Sequence, residues 1–350
     1  MKKPSTVLVT GGCGFIGSNF IPYFLDKYPF YTVVNLDLLT YAANQENLKE
    51  VHNHPRYRFF QGDIQDVSLV KSLFEKFQIQ YVIHFAAESH VDRSIDDSSS
   101  FIGTNINGTH ALLEVARRFW LQAPFQLRTQ YTSCRFHHIS TDEVFGSLGP
   151  EGYFTENSPY KPNNPYSASK ASADMIVRSY YKTYGLPIII TNCSNNYGPK
   201  QHDEKLIPTI IRHYLDRKPI PIYGAGNNIR DWLYVIDHCK GIDVAFHKGQ
   251  LGHSYLIGGR NEKTNLEMVR SICRLVDSFD PEKRFSFQES THIQFVPDRP
   301  GHDTRYSIDA SKMEKDLLWR SETSFEKGLM ATIKWYLQKY SKWSSFHGEL

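Results

Sequence analysis

The feature that most constrains this chain is a short apolar strand, Val7-Leu8-Val9-Thr10, that runs straight into Gly11-Gly12-Cys13-Gly14-Phe15-Ile16-Gly17. The glycines satisfy Gly-x-x-Gly-x-x-Gly and Gly-x-Gly-x-x-Gly at once. They allow a tight turn and the close approach of a pyrophosphate to backbone amides. The next segment, with Ile16, Phe20, Ile21, Phe24 and Leu25 on one face, is a helix whose positive dipole end points at the same place. Asp37 ends the second strand, 20 residues after Gly17. Its carboxylate suits ribose hydroxyls and repels a 2′-phosphate, and no arginine follows it. Strand, glycine turn, helix and distant acid together predict a dinucleotide site with NAD favoured over NADP. Asp63-Ile64, closing the third strand, fits either an adenine contact or a solvated strand end.

Strand and helix signals alternate through the first 190 or so residues. Strands are expected at Val7–Thr10, Thr32–Leu36, Arg58–Gln61, Tyr81–Phe85, Phe136–Ser140 and Pro187–Thr191. Val67, Val70, Leu73, Phe74 and Phe77 recur at helical spacing, and further helices are expected at about Asn105–Arg117 and Tyr166–Tyr184. Six such units predict an α/β fold, a Rossmann-type doubly wound parallel sheet. After Thr191, prolines and glycines break the rhythm. Helices at about Asp237–Lys248 and Leu266–Asp277 flank a strand at His253–Ile257, and Thr323-Ser-Phe-Glu326 reads as a capping box opening a last helix. No linker separates the halves, which predicts a smaller, interleaved α/β substrate-binding domain.

Charge and cysteine content narrow the class. In 350 residues, 40 Lys+Arg against 37 Asp+Glu leave a formal charge of +3, too little basic excess for a polyanion or membrane-surface binder. No apolar run approaches the roughly 18 residues that span a bilayer, and Met-Lys-Lys-Pro-Ser-Thr does not open like a signal peptide. Cys13, Cys134, Cys193, Cys239 and Cys273 are scattered and odd in number, which fits a reducing cytoplasm rather than a disulfide framework. His52/His54 and His137/His138 lack a third ligand at metal spacing, so no metal is expected.

Tyr166-Ser-Ala-Ser-Lys170 sets a phenol and an ammonium at i and i+4 on one helix face. A tyrosine of pKa about 10 is a poor base at neutral pH. A nearby ammonium and a nicotinamide cation would lower it, so that it takes a proton from a sugar hydroxyl as hydride leaves. With Thr141 ending a strand, this is a Ser/Thr-Tyr-Lys constellation resembling the extended short-chain dehydrogenase/reductase superfamily. Thr141-Asp142-Glu143 adds two adjacent carboxylates at the carboxyl edge of the sheet, where such folds bind ligands. An alcohol dehydrogenase or epimerase needs only the threonine, and burying extra carboxylates is costly. An elimination needs both a base for a carbon acid and an acid for the departing hydroxide.

Further blocks make the resemblance closer: Ala86-Ala-Glu-Ser-His-Val-Asp92, Asn192-Cys-Ser-Asn-Asn-Tyr-Gly198, Glu204-Lys-Leu-Ile-Pro208, Arg230-Asp-Trp-Leu-Tyr234 and Asp298-Arg-Pro-Gly-His302. From about Val7 to Tyr336 the chain resembles the dTDP-glucose 4,6-dehydratase family, NAD-dependent hydro-lyases acting on a nucleotide sugar. The resemblance implies oxidation at C4, loss of water across C5–C6 and hydride return to C6, giving a 4-keto-6-deoxy sugar and a cofactor kept through each cycle. It gives Tyr166 the C4 hydroxyl proton, with help from Thr141 and Lys170; it gives Glu143 the C5 proton and makes Asp142 the acid for the C6 hydroxyl. It implies cofactor contacts at Gly11, Gly14, Phe15, Ile16, Gly17, Asp37, Leu38, Leu39, Thr40, Asp63, Ile64, Phe85, Ala86, Ala87, Ser89, Thr104, Tyr166, Lys170 and Asn196. Substrate contacts fall to Ser89, Thr141, Asn195, Lys205, Leu206, Pro221, Tyr223, Arg230, Asn265, Arg299 and His302. Arg230 and Arg299 suit a diphosphate, and Tyr223 beside Pro221 offers an apolar slot for a base.

The implied division is 1–192 for the cofactor domain, with 235–260 and about 305–320 returning to it, and 193–234, 261–304 and 321–350 for the substrate domain. A homodimer through the helices near Asn105–Arg117 and Tyr166–Tyr184 is implied as well. Phe145 stands where the family usually has Tyr, Leu256 where Asn usually precedes Ile-Gly-Gly, and the sequence stops at Leu350, short of a tail that adds a nucleotide contact in longer members. None of these is a proton-transfer position, so affinity and base preference are affected before chemistry. Two competing readings are an epimerase or dehydratase of another nucleotide sugar (UDP-, GDP- or CDP-hexose), and a non-catalytic NAD-binding partner protein, which would need no intact constellation.

Overall fold

A computed structural model describes residues 4–340 apart from 281 and 283. The readings of the first three residues and of the tail at 341–350 fall outside the described residues.

Seven strands, β1 (Ser5–Thr10), β2 (Tyr31–Asp37), β3 (Tyr57–Gln61), β4 (Tyr81–His84), β5 (Arg135–Thr141), β6 (Ile188–Cys193) and β7 (Ser254–Ile257), form one sheet in the order β7-β6-β5-β4-β1-β2-β3. Every pairing in it is parallel. Side chains alternate across it with period two. Val7 and Val9, Val33, Ile83 and Ile189 pack on one face with Phe20, Phe24, Ile242 and Phe246. Leu8, Val34, Val82, Ile188 and Ile190 pack on the other with Phe74, Leu112, Trp120 and Val177. The first face is covered by helices α1 (Phe15–Lys27) and α5 (Val235–Lys248), the second by α2 (Val67–Phe77), α3 (Thr109–Trp120) and α4 (Pro165–Tyr184). Strand order reverses between β1 and β4, and ligand crevices form beyond the carboxyl ends at such a switch point.

A third apolar cluster stands apart from the sheet. It is built from Ile207, Ile210 and Ile211 of helix Leu206–Leu215, Met268, Val269 and Ile272 of helix Asn265–Ser278, and Leu329, Ile333 and Tyr336 of helix Phe325–Lys339. Two small sheets lie with it, Glu262–Thr264/Ile229–Tyr234/Asn195–Tyr197 and Ile220–Tyr223/Ile293–Val296. The chain moves between these bodies, since β7 and α5 follow Ile229–Tyr234 and return to the large sheet. Asp231, buried beside Arg230, fastens the crossing by accepting the Gly259 and Asn261 amides at 2.9 and 2.7 Å.

Two local expectations are corrected. The helix expected from Asn105 starts as a π-helical turn, Ile102–Gly108, before α3. Asn105 is the cause: its amide oxygen accepts the Glu88 N–H and its nitrogen donates to the Glu88 carbonyl and to Ser169, which holds the turn open towards the sheet edge. The last helix is capped by Ser324, not by a Thr323–Glu326 box. The Thr323 amide is already committed to Asp237 Oδ2 at 2.7 Å, so the chain turns one residue later. The reciprocal box occurs instead at Thr264 and Glu267.

Candidate active site

The glycine turn is shaped by close approach. Gly11 has φ +71, and a Cβ there would sit 2.5 Å from the Ala86 nitrogen; one on Gly17 would sit 2.6 Å from the Gly11 carbonyl. Gly14 caps α1 without any side-chain bond, so the first helical amides face the cleft free to meet an anion. Asp37 Oδ2 accepts the Cys13 amide and Oδ1 the Leu39 amide, both at 2.8 Å. Burial raises the Asp37 pKa, and those two amides oppose the rise. Gly11, Gly14, Phe15, Ile16, Gly17, Asp37, Leu38, Thr40, Asp63, Ile64, Phe85, Ala86, Ala87, Ser89, Thr104 and Asn196 line one cleft that ends at Thr141, Tyr166 and Lys170. Leu39 is set back from it: its φ of 59 turns the chain, its amide holds Asp37, and its side chain packs on the core. A cleft lined by a glycine cradle with no room for a Cβ, by uncapped helical amides and by the acid Asp37 fits a dinucleotide.

The catalytic end is built at the tip of β5. The Thr141 hydroxyl accepts the Glu143 amide at 3.2 Å and so caps the single turn Asp142–Phe145, which projects both acids inward. Facing them is the start of α4, capped by Asn164 with Pro165 in the first turn. Tyr166 is buried there, with the Thr141 hydroxyl hydrogen-bonded to its phenol. Lys170 reaches from one turn further on and donates to the Ile139 carbonyl at 2.9 Å. Glu143 Oε2 lies 3.4 Å from the Ser167 and Tyr306 hydroxyls.

Electrostatics separates the two carboxyls. Burial, then Glu143 and Asp231, push Asp142 well above its ordinary value, and its Oδ2 is buried without a hydrogen-bond partner. Glu143 is raised by burial too, but Arg299, Arg230 and Lys205 pull it back. Burial therefore favours the protonated form of Asp142, while nearby cations favour the charged form of Glu143, the unlike environments an acid/base division uses. The expected depression of Tyr166 is not found in the chain by itself: burial, then Glu143, raise its pKa well above the ordinary value, opposed by the Thr141 bond. The Lys170 ammonium is aimed at a carbonyl instead.

A second cleft of about 320 Å³ adjoins the first, and the two share Ser89, Glu143, Asn195, Asn196, Gln201 and Lys205. Leu206, Pro221, Tyr223, Arg230, Asn265, Arg299 and His302 line it, so every expected substrate contact lies on one of the two clefts, Thr141 on the first. Arg230 is buried, stacked on Tyr306 at 4.3 Å, with its guanidinium donating to the Ile229 and Asp303 carbonyls at 2.8 and 2.9 Å. Arg299 pairs with Asp92 at 3.2 Å and keeps a buried, unpartnered Nε. Lys205 Nζ donates to the Ser89 carbonyl at 2.9 Å, His302 pairs with Asp298 at 2.6 Å, and the Tyr223 hydroxyl donates to Asp92 at 3.1 Å.

Sequence reasoning passed over Glu88, Asp92, Gln201, His202, Glu204 and Trp232, which also line the clefts. Glu88, Asp92, Glu204 and Trp232 fall inside the blocks that carry the family resemblance, and the polar run Gln201-His-Asp-Glu204 beside Lys205 was a further signal; Trp232, with its buried, unpartnered Nε1, looks otherwise like any core aromatic. Phe145 and Leu256 share an apolar cluster with Val144, Phe154 and Tyr306, directly behind Glu143. Among the described residues, no three His, Cys, Asp or Glu come together as a metal set, and no helix is long and apolar enough to cross a membrane.

Three comparisons bear on this site. The family model described as GDP-mannose 4,6 dehydratase matches residues 8–332. A dTDP-glucose 4,6-dehydratase of Haemophilus influenzae is 52% identical over 334 residues, 95% of this chain and 97% of that protein. Among solved structures, a dTDP-glucose 4,6-dehydratase from Bacillus anthracis in complex with NAD superposes with TM-score 0.84 at 44% identity, covering 98% of this chain and all of that one. DesIV, a dTDP-glucose 4,6-dehydratase from Streptomyces venezuelae with NAD and TYD bound, gives 0.87 at 42%, covering 98% and 100%.

Protonation of Asp142 carries a stability consequence. A carboxyl whose folded-state pKa is raised binds more protons folded than unfolded, so it costs stability as pH climbs from its ordinary 3.8 towards the folded value. Asp142→Asn is expected to raise the thermal midpoint, by a margin that is smallest near about pH 4 and widens towards neutral pH. Thermal unfolding across that range checks it, and an unchanged or lower midpoint at neutral pH would contradict a protonated Asp142.

Proposed function

The chain belongs to the dTDP-glucose 4,6-dehydratase family, within the group matched by the GDP-mannose 4,6 dehydratase model, and from that premise we propose that it converts dTDP-glucose to dTDP-4-keto-6-deoxyglucose with NAD as a retained cofactor. The observation that carries the reading is the pair Asp142 and Glu143, buried side by side in unlike environments next to Thr141, Tyr166 and Lys170. An epimerase has no use for that pair.

NAD, when bound, supplies a reversible store for one hydride. The residues that would hold it are the glycine turn and free α1 amides for the pyrophosphate, Asp37 for the adenosine ribose, and Tyr166 and Lys170 beside the nicotinamide. Tyr166 takes the C4 hydroxyl proton, with Thr141 as its hydrogen-bond partner. A ketone at C4 makes the C5 proton acidic, and Glu143, supported by Arg230 and Arg299, removes it. Asp142, protonated by its surroundings, delivers a proton to the C6 hydroxyl, which leaves as water. Arg230, Arg299 and Lys205 line the adjoining cleft as the cationic groups for the diphosphate, and Tyr223 with Pro221 and Leu206 form the base slot.

The division into a cofactor body and a substrate body is supported by the separate apolar clusters on either side of the clefts. Five free, buried cysteines support a cytoplasmic setting. A homodimer is supported by Ile95, Ile102 and Met175, exposed by 38, 48 and 53% on the helical side formed around α3 and α4. Sedimentation at micromolar concentration is expected to return a dimer that Met175→Glu weakens; a wild-type monomer would remove the dimer.

The reaction is tested with dTDP-glucose deuterated at C4. The product is expected to carry the label at C6, and label lost to solvent would contradict an internal transfer. UDP-, GDP- and CDP-glucose run in parallel are expected to react at least tenfold more slowly, the discrimination of about one well-formed contact; equal rates would remove the base assignment.

A further inference from the structure

Pro22 stands inside α1, where its ring nitrogen has no proton to give to the Ser18 carbonyl one turn back. A helix-interior proline is costly; here it leaves one carbonyl, a single residue past the glycine turn, open to an outside donor. The ammonium of Lys200 takes it at 3.1 Å and meets Glu50, of the short helical turn Gln45–Val51, at 2.8 Å. Beside that contact the Asn19 side chain donates to the Phe15 carbonyl at 2.9 Å and to the Pro199 carbonyl at 3.0 Å. Lys200 itself sits at φ 71, a left-handed conformation uncommon for a residue with a side chain, and these bonds hold it there.

One end of Pro199–Lys205 is thus fixed to α1. The other end is fixed beyond the tip of β4. Lys205 Nζ donates to the Ser89 carbonyl at 2.9 Å, and Glu204 lies 3.5 Å from Arg93, whose guanidinium stacks on Tyr41 at 3.5 Å. The segments that follow β1 and β4 bound the crevice at the switch point, so a stretch tied to both spans it. Its middle residues, Gln201 and His202, line the first cleft. The same stretch is tied to the smaller body: the Tyr336 hydroxyl donates to the Gln201 carbonyl at 2.5 Å, and Asp203 takes Lys339 and the Tyr340 hydroxyl at 2.7 and 2.9 Å.

We propose, on the retained-NAD reading above, that Pro199–Lys205 is a strap across the dinucleotide cleft that sets how long the cofactor stays bound, with Lys200 its clasp on α1. Lys200 touches no reacting atom and acts through the strap, as a positioning residue. With the clasp open, the strap is held only from the Ser89 side and from the smaller body, and the cleft opens along α1. The lysine is the end of the pair whose loss matters more, because 15% of its side chain is exposed against 55% for Glu50.

The test loads the full chain with radiolabelled NAD, chases it with excess unlabelled NAD and follows the bound label by gel filtration. Lys200→Met is expected to shorten the residence time about tenfold, the worth of one charge-assisted bond, while kcat on dTDP-glucose at saturating NAD stays within about twofold of wild type. A loosened fold would lower kcat along with residence; a strap moves residence alone. Lys200→Arg, which keeps donors for Ser18 and a charge for Glu50, is expected to bring residence back to within about threefold of wild type. Should Lys200→Met fail to fold, Glu50→Lys on the exposed side of the pair is expected to shorten residence about threefold. A residence time in the tested variant equal to that of wild type would overturn the proposal. A wild-type protein that gives up its label within seconds would instead remove the retained-cofactor reading, and the strap with it.

Discussion

Two carboxyl groups adjacent in sequence are buried together at the tip of one strand, and most of the surrounding structure answers to that placement. A buried carboxylate is expensive unless it is protonated or met by cations. Asp142 follows the first route and Glu143 the second, by way of Arg230 and Arg299. On the large-sheet side the one cation of the crevice among the described residues, Lys170, is turned to the Ile139 carbonyl. Those that meet Glu143 come from the smaller body, Arg230 from Ile229–Tyr234 and Arg299 from the loop after Ile293–Val296. The interleaved path of the chain, with Asp231 fastening the return through Gly259 and Asn261, is what brings them across.

The same geometry explains why two ligand clefts meet where they do. A parallel sheet offers one edge at which strand ends leave amides and side chains free, and at the switch between β1 and β4 that edge opens on the glycine turn. The tip of β5 lies one strand from β4, so a dinucleotide laid along the first cleft ends beside Thr141, Tyr166 and Lys170. The second cleft meets the first at Ser89, Glu143, Asn195, Asn196, Gln201 and Lys205, which leaves Glu143 on the wall of both. Phe145 and Leu256 fit this arrangement as a matched apolar pair behind the acid turn, stiffening it without adding a polar group that would compete for Glu143.

Legibility from sequence followed the range of the interactions. The sheet was readable because Val7-Leu8-Val9 and Ile188-Ile189-Ile190 bury both faces and need no outside partner to declare themselves, and the glycine turn because its constraint is local backbone geometry. Thr141, Asp142 and Glu143 were visible as a contiguous run. What escaped was decided by distant partners: Asp237 taking the Thr323 amide and shifting a cap, Asn105 gripping Glu88 and Ser169 and opening a π turn, Leu39 turned from the cleft to serve Asp37. Trp232 looks in sequence like an ordinary core residue. Its surroundings come from segments far along the chain, and no spacing rule reports them.

In the proposed reaction the elimination is divided between Glu143 as base and Asp142 as acid, downstream of a C4 oxidation that needs neither. Mass spectrometry of the sugar nucleotide formed by Glu143→Gln from dTDP-glucose tests it most directly. Expected is a 4-keto sugar that retains its C6 hydroxyl and, in heavy water, takes up no deuterium at C5. A 6-deoxy product formed at the wild-type rate, with solvent deuterium at C5, would contradict it.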